Sequence, residues 1–330
     1  MFTLNSLETN FAIQAVQHAS LLVKQVQAEM AAQTLTKGDR SPVTVADFAS
    51  QALVGYLLAQ TFPNDPLVAE ENADELRDPA RQAILEKVAG FVKRVLPEAT
   101  PPTVCNWIDR GGAETGQRFW TLDPIDGTKG FLRGEQYAVA LALVVDGKVQ
   151  LGVLGCPNLT AGSQLDLGGP GSLVVAVRGQ GTWTTSLVKP AALAQLHASR
   201  SEDPRQMRIL RSVEAGHTNV GQVDLLAENL NVQADPVLMD CQAKYALLAA
   251  GAGDLMVRLL SPDKPDYREK IWDQAAGSII IEEAGGRVSD LDGKPFDFTT
   301  GRSLLNNRGV VASNGAYHAL ALQTLSELGA

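Results

Sequence analysis

The stretch Phe119-Trp120-Thr121-Leu122-Asp123-Pro124-Ile125-Asp126-Gly127-Thr128-Lys129-Gly130-Phe131 decides how this chain is read. Residues 119–122 predict a short buried strand. Pro124 has no amide hydrogen to give to a ladder, so it predicts that the strand stops there. Asp123 and Asp126 then emerge at a strand end, where a tight turn aims both at one point. Two carboxylates placed like this repel unless a cation sits between them, and hard oxygen ligands suit Mg²⁺. The plainer alternative is an Asp-Pro turn with two solvated acids.

Further acids stand in comparable settings. Leu67-Val68-Ala69 predicts a short strand running into Glu70-Glu71. Asp273 begins a helix in Lys270-Ile271-Trp272-Asp273, and Asp47 sits early in a second helix, after Ser41-Pro42-Val43-Thr44. An aspartate near a helix start ordinarily serves as a cap or dipole partner. Together with the central stretch, these acids point instead to one shared cation site. The spacing also excludes the haloacid-dehalogenase-type phosphatases: their Asp-x-Asp-Gly-Thr has one residue between the acids, and here Pro124 and Ile125 make two.

Residues from Asn5 to about Met30 form a helix with Leu7, Phe11, Ala15, Leu22, Val26 and Met30 near one face, and Asn5 with Glu8 resembles a capping box. A second helix spans about Ala46 to Gln60, and the charged run 72–98 reads as a helical insertion on the surface. Tyr137–Val145 and Lys148–Leu154 are strands joined by Asp146-Gly147, a hairpin signal. Gly-Gly-Pro-Gly at 168–171 reads as a plain loop, because strand rather than helix follows it. The polar segment 185–206 holds the expected domain boundary. Beyond it strands (207–211, 237–239, 255–259, 310–312) alternate with helices (220–230, 243–250, 270–284, 316–328). The fold class is therefore α+β followed by α/β, with an α+β domain over 1–190 and an α/β domain over 191–330.

The chain has 330 residues, 45% hydrophobic and 20% charged, with a net charge of −9. That balance argues against a nucleic-acid surface, while local cations and a metal still allow an anionic small molecule. No apolar run approaches the roughly 18 residues that span a bilayer. The N-terminus lacks a basic start and a cleavage site, so a cytoplasmic location and no membrane partner are expected. Cys105, Cys156 and Cys241 are far apart and odd in number, which predicts free thiols.

Asp-Pro-Ile-Asp-Gly-Thr, the upstream Glu-Glu and the downstream Trp-Asp-x-Ala-Ala-Gly (Trp272 to Gly277) resemble, in order and spacing, the signature of the lithium-sensitive, magnesium-dependent phosphatases. That superfamily holds inositol monophosphatases, fructose-1,6-bisphosphatases and 3′(2′),5′-bisphosphate nucleotidases. Thr128 to Tyr137, Val213 to His217, Gln242-Ala243-Lys244-Tyr245 and Glu269 to Asp273 are most similar to the nucleotidases. Cys241 departs from the serine those enzymes commonly carry beside the nucleotide.

The resemblance implies a layered αβαβα sugar-phosphatase fold whose second domain carries most nucleotide contacts. It implies that Glu70, Asp123 and the Ile125 carbonyl hold one Mg²⁺ and that Asp123, Asp126 and Asp273 hold a second. Glu71 is a candidate for a third, outer metal or for an outer-shell role. Asp47 with Thr128 would orient and deprotonate the attacking water. Lys244 and Arg258 are the implied phosphate and sugar contacts, with His217 near them. Lys129 and Arg133 either steer anions or cap the hairpin that follows. Trp272 reads as core. The implied activity is removal of the 3′-phosphate of adenosine 3′,5′-bisphosphate, with 3′-phosphoadenylyl sulfate as a second candidate substrate. Alternatives are an inositol polyphosphate 1-phosphatase and a non-catalytic nucleotide sensor on the same fold. The oligomeric state is left open.

Overall fold

Near-continuous apolar runs between residues 118 and 177 build the sheet on which the acids sit, buried on both faces. The computed structural model describes residues 2–31, 41–212, 219–261 and 263–330. Among them, β1 (Leu67–Ala69), β2 (Arg118–Asp126), β3 (Ala138–Val145) and β4 (Lys148–Cys156) lie side by side. A two-stranded ribbon, β5 (Leu159–Thr160) and β6 (Gln164–Leu165), follows. The sheet then continues through β7 (Ser172–Val177), β8 (Gly181–Ser186) and β9 (Ala194–Leu196). The β1–β2 pair is parallel and the remaining neighbours are antiparallel. The β3–β4 turn is at Asp146 and Gly147, both with positive φ, as the dipeptide predicts.

The second sheet contains β10 (Ile209–Arg211), β11 (Val237–Leu238), β12 (Leu255–Arg258), β13 (Arg287–Ser289) and β14 (Val310–Ser313), in the order β11-β10-β12-β14-β13. Helices α1 (Leu7–Ala31) and α2 (Ser41–Thr61) cover the outer face of the first sheet, backed by α3 (Gln82–Lys93) and α4 (Pro101–Asp109). After the short α5 (Thr128–Arg133), helix α6 (Val220–Asn229) lies with α9 (His318–Glu327) on the outer face of the second sheet. Helices α7 (Ala243–Ala249) and α8 (Ile271–Glu283) fill the space between the sheets, where Phe119, Val174, Met256 and Ala312 meet them. The layers therefore run αβαβα. Helix α8 contacts five strands of the first sheet and two of the second, and its buried positions run unbroken from Gln274 to Ile281. A helix buried all round loses the amphipathic stripe of a surface helix.

Several elements depart from the sequence reading for local physical reasons. Strand β2 does not stop at Pro124. It continues to Asp126 through a register shift, because Asp123 faces Ala140 and Asp126 faces Ala138. Three steps on one strand match two on the other, and such a bulge tolerates a proline. The first helix is stitched by Ser6 and Thr9, whose backbone N–H donates to Ser6 Oγ at 3.4 Å, rather than by Asn5 and Glu8. Helix α2 begins at residue 41, so Asp47 lies beyond its first turn and is no cap. The insertion at 72–98 is not wholly superficial: α3 buries Leu85, Val88, Phe91 and Val92 against its neighbours. Helices α4 and α5 and strands β8, β9 and β13 lie in stretches where no element was expected. Among the described residues no helix is long and apolar enough to cross a membrane, and the three cysteines are free thiols.

Candidate active site

Strand parity places the acids. On β2, Trp120 and Leu122 belong to the outer core and Phe119 to the middle layer, so Asp123 shares the middle-layer face. Without the extra residue of the bulge, Asp126 would turn to the opposite face. With it, both aspartates sit opposite alanines of the middle layer, Ala140 and Ala138, while Ile125 enters the outer core. The two-residue gap between the acids thus works because the strand bulges there. On β1, Val68 is in the middle layer, and Ala69 pairs with Leu122, so Glu70 emerges beside Asp123.

A cleft of about 210 Å³ lies between the sheets, and Glu70, Asp123, Asp126, Thr128, Lys244 and Asp273 are among its walls. Ile125 and Arg258 also line it. Asp47 lies behind this wall, 6% exposed. His217 lies outside the described residues. The predicted residues thus come from separate elements to one place: the end of β1, the bulge of β2, the start of α5, helix α7, strand β12 and the first turn of α8.

Gly127 makes the sharp turn from β2 into α5. Its φ is +91°, and a Cβ there would lie 2.7 Å from the Cβ of Cys241. Asp126 Oδ2 accepts the backbone N–H of Gln242 at 2.6 Å, tying the bulge to the start of α7. Gln242 in turn donates to the Trp272 carbonyl at 3.0 Å and accepts from the Gly277 N–H at 3.2 Å. Helices α7 and α8 approach this closely because Gly277 has no side chain: a Cβ there would meet the Tyr245 ring at 2.0 Å. On the outer side, Gln51 of α2 holds Glu71 by accepting its N–H at 3.0 Å and donating to its carbonyl at 2.6 Å. Arg133 pairs with Glu135 at 2.6 Å and Asp240 at 2.5 Å, so it clamps α5 to the segment before α7 rather than capping the hairpin.

The carboxylates raise one another. Burial, then Glu70, Asp126, Asp273 and Asp47, hold Asp123 well above the usual carboxylate range. Burial, then Glu71 and Glu70, do the same to Asp47. Burial raises Asp273 although Arg258 opposes it, and raises Asp126 although Lys244 and the Gln242 N–H oppose it. For Glu70 the causes are burial and then Asp126. Glu70 is itself exposed at the cleft, so solvent tempers both effects there. Glu71 is pushed up to about 7 by burial and by Glu70.

The side chains that face them are cationic. Lys244 Nζ donates to Ser212 Oγ at 3.0 Å, and its pKa is lowered by burial and by Arg258. Two cations that repel each other within one cleft mark a place for an anion. Arg258 shares the middle-layer face of β12 with Met256 and pairs with Glu269 at 3.1 Å. Glu269 also accepts from Gln274 Nε2 at 2.9 Å, whose Oε1 accepts from Tyr245 at 2.6 Å. Burial pushes Glu269 above the usual range even beside Arg258.

Two observations bear on a metal. Asp123 Oδ1 and Asp47 Oδ1 are buried without a hydrogen-bond partner, and several acids raise each other's pKa, a strain that a cation relieves. Among the described residues no three such side chains are already closed into a metal-holding cage. The carboxylates surround the cleft more loosely than that, and the orphaned oxygens and all-oxygen chemistry still fit a hard divalent cation. Gln51, Ser212, Gln242, Glu269 and Gln274 had no role in the sequence reading. Gln242 and Glu269 lay inside quoted motifs, and nothing local to the chain marks Gln51.

The sequence profile of the inositol monophosphatase family matches residues 5–330. The chain is 42% identical over 328 residues to a 3′(2′),5′-bisphosphate nucleotidase of Schizosaccharomyces pombe, covering 93% of this chain and 91% of that one. It is 42% identical over 322 residues to a protein of the same name in Oryza sativa, covering 92% and 89%. Among solved structures, an IMPase of Thermotoga maritima is similar with a TM-score of 0.64 at 20% identity, covering 98% of each chain. That similarity shows the layered fold.

Proposed function

The chain belongs to the inositol monophosphatase family, and from that premise we propose that its cleft hydrolyses the 3′-phosphate of adenosine 3′,5′-bisphosphate to AMP and phosphate. The names of relatives about 40% identical over nearly the whole chain point to that substrate. The observation that carries the reading is that one cleft gathers the carboxylates Glu70, Asp123, Asp126 and Asp273 together with the cations Lys244 and Arg258. The acids suit metal cations, and the lysine and arginine suit an anion carrying two phosphates.

The family is in general metal-dependent. We assign Glu70, Asp123, the Ile125 carbonyl, Asp126 and Asp273 to hold Mg²⁺, two or three ions per site, with Glu71 as a candidate for an outer ion or an outer-shell partner. When bound, Mg²⁺ supplies charge to the transferring phosphoryl group and lowers the pKa of the attacking water. Asp47 and Thr128 orient that water. Asp47, with a pKa raised by burial and its acidic neighbours, is the stronger base for its proton. Lys244 and Arg258 hold the phosphates, and the planar guanidinium suits a bidentate grip. His217 is proposed as a further nucleotide contact on the family resemblance alone. 3′-Phosphoadenylyl sulfate is a second candidate substrate.

The test is phosphate release from adenosine 3′,5′-bisphosphate, 3′-AMP and inositol 1-phosphate, with and without Mg²⁺ and with Li⁺ added. The bisphosphate is expected to lead in kcat/KM, and Li⁺ to inhibit. Equal rates on inositol 1-phosphate would overturn the nucleotide assignment.

A further inference from the structure

Arg302 is a half-buried cation with no ion pair among the described residues. Its guanidinium donates to the Gly111 carbonyl at 3.1 Å and to the Ala69 carbonyl. Its carbon stands 4.9 Å from the centre of the Trp272 ring. Burial lowers its pKa, opposed by Glu114. A cation held this way needs a reason, since desolvating a charge costs free energy.

The partners supply one. β1 is an edge strand, and an edge exposes backbone groups that a neighbouring strand would otherwise satisfy. The Ala69 N–H donates to the Gly111 carbonyl at 2.9 Å, and Arg302 takes the Ala69 carbonyl. Both polar groups of the residue before Glu70 are thereby held. On the other side, Trp272 precedes Asp273. The N-cap of α8, Lys270, makes no side-chain capping bond, so the segment containing Arg302 secures that helix end. The Ile271 N–H donates to the Arg302 carbonyl at 3.2 Å, and the Leu304 N–H to the Glu269 carbonyl at 2.9 Å. Lys270 and Ser303 form a β-bridge, and their side chains hydrogen-bond at 3.2 Å.

We propose that Arg302 is a positioning residue that sets the separation of Glu70 and Asp273 by binding the end of β1 and the indole at the start of α8 with one planar group. It touches neither substrate nor metal. This rests on the metal-site reading above, in which those two acids act together. Partners that orient ligating carboxylates are worth ten- to hundredfold in metal affinity.

The experiment titrates Mn²⁺ alone into the full chain and reads the free ion by electron paramagnetic resonance. Arg302→Met is expected to weaken Mn²⁺ binding by roughly ten- to hundredfold, and Arg302→Lys, which keeps the charge but not the fork, by an intermediate factor. At saturating Mg²⁺ the KM for the nucleotide is expected to stay at the wild-type value. The control is Arg178→Met. Arg178 donates twice to the Val149 carbonyl, at 3.2 and 3.0 Å, and pairs with Glu282 at the far end of α8. Its loss is expected to lower the melting temperature and leave Mn²⁺ binding alone. Wild-type Mn²⁺ affinity in Arg302→Met, or an equal loss in Arg178→Met, overturns the proposal. If Arg302→Met does not fold, wild-type affinity in Arg302→Lys overturns it. Wild-type affinity in Asp123→Asn would instead overturn the metal-site reading.

Discussion

Replacing Arg258 by alanine separates what this residue does for the fold from what it does for the substrate. Its Nε lies 3.1 Å from Glu269 Oε1, and the two side chains are 33% and 4% exposed. Removing one partner of a fully buried pair costs about 3–5 kcal/mol, chiefly because the other charge is stranded. Here Arg258 is a third open to the cleft, and Glu269 keeps the Gln274 donor at 2.9 Å, so the expected loss is about 2–3 kcal/mol. The sign of its pH dependence follows from Glu269, whose carboxyl is already raised by burial. Without Arg258 it rises further. An acid with a raised folded-state pKa does no harm below its unfolded pKa and weakens the fold as pH climbs through the folded value. The Arg258→Ala deficit should therefore be larger at pH 8 than at pH 5. For the substrate, a charged hydrogen bond is worth about 1.5–3 kcal/mol, which is a rise in KM of about ten- to a hundredfold. The value of kcat should fall less, because ground and transition states lose the contact alike. Urea titrations at several pH values measure the first effect, and steady-state kinetics the second. Adding Glu269→Gln should restore most of the stability and none of the KM. Recovery of KM in the double variant, or wild-type stability in the single one, would refute the reasoning.

Three other outcomes follow from the same geometry. Asp123→Asn should abolish turnover while raising the melting temperature of the metal-free chain. That gain should be absent at low pH, where Asp123 carries its proton, and should grow as pH rises; a tenth of wild-type activity in saturating Mg²⁺ would contradict it. Gly127→Ala forces a side chain into a left-handed turn and against Cys241, and should lose at least about 1–2 kcal/mol in a urea titration. Cys241 lines the cleft with φ at +62°, and Cys241→Ser puts a better hydrogen-bonding group there. KM should fall roughly twofold to tenfold, the worth of one ordinary hydrogen bond, with kcat unchanged; an unchanged KM with a lower melting temperature would make Cys241 a packing residue instead.

What the sequence determined by itself was whatever depends on neighbours along the chain. The β-rich runs at 137–154, the Asp146-Gly147 turn between them and the strand–helix rhythm beyond residue 206 depend on local composition and periodicity, and they appear in the fold within a few residues. The candidate acids were legible because most of them stand in short motifs whose order and spacing are visible in one dimension. The tertiary structure decided the rest. Pro124 looked like a strand terminator because its missing N–H is a local fact, whereas the bulge that accommodates it and turns Asp126 to the same face as Asp123 depends on pairing with β3. Helix α5 is six residues long, too short to show a period, and begins at a glycine whose turn is set by contact with Cys241. Gln51 and Arg302 carry no local signature, and the motif around Glu269 does not show its partner, because a polar side chain held inside the fold is identified only by the groups it satisfies. Those groups lie 20, 11 and 233 residues away in the chain, at Glu71, Arg258 and Ala69, and only folding brings them within hydrogen-bonding distance.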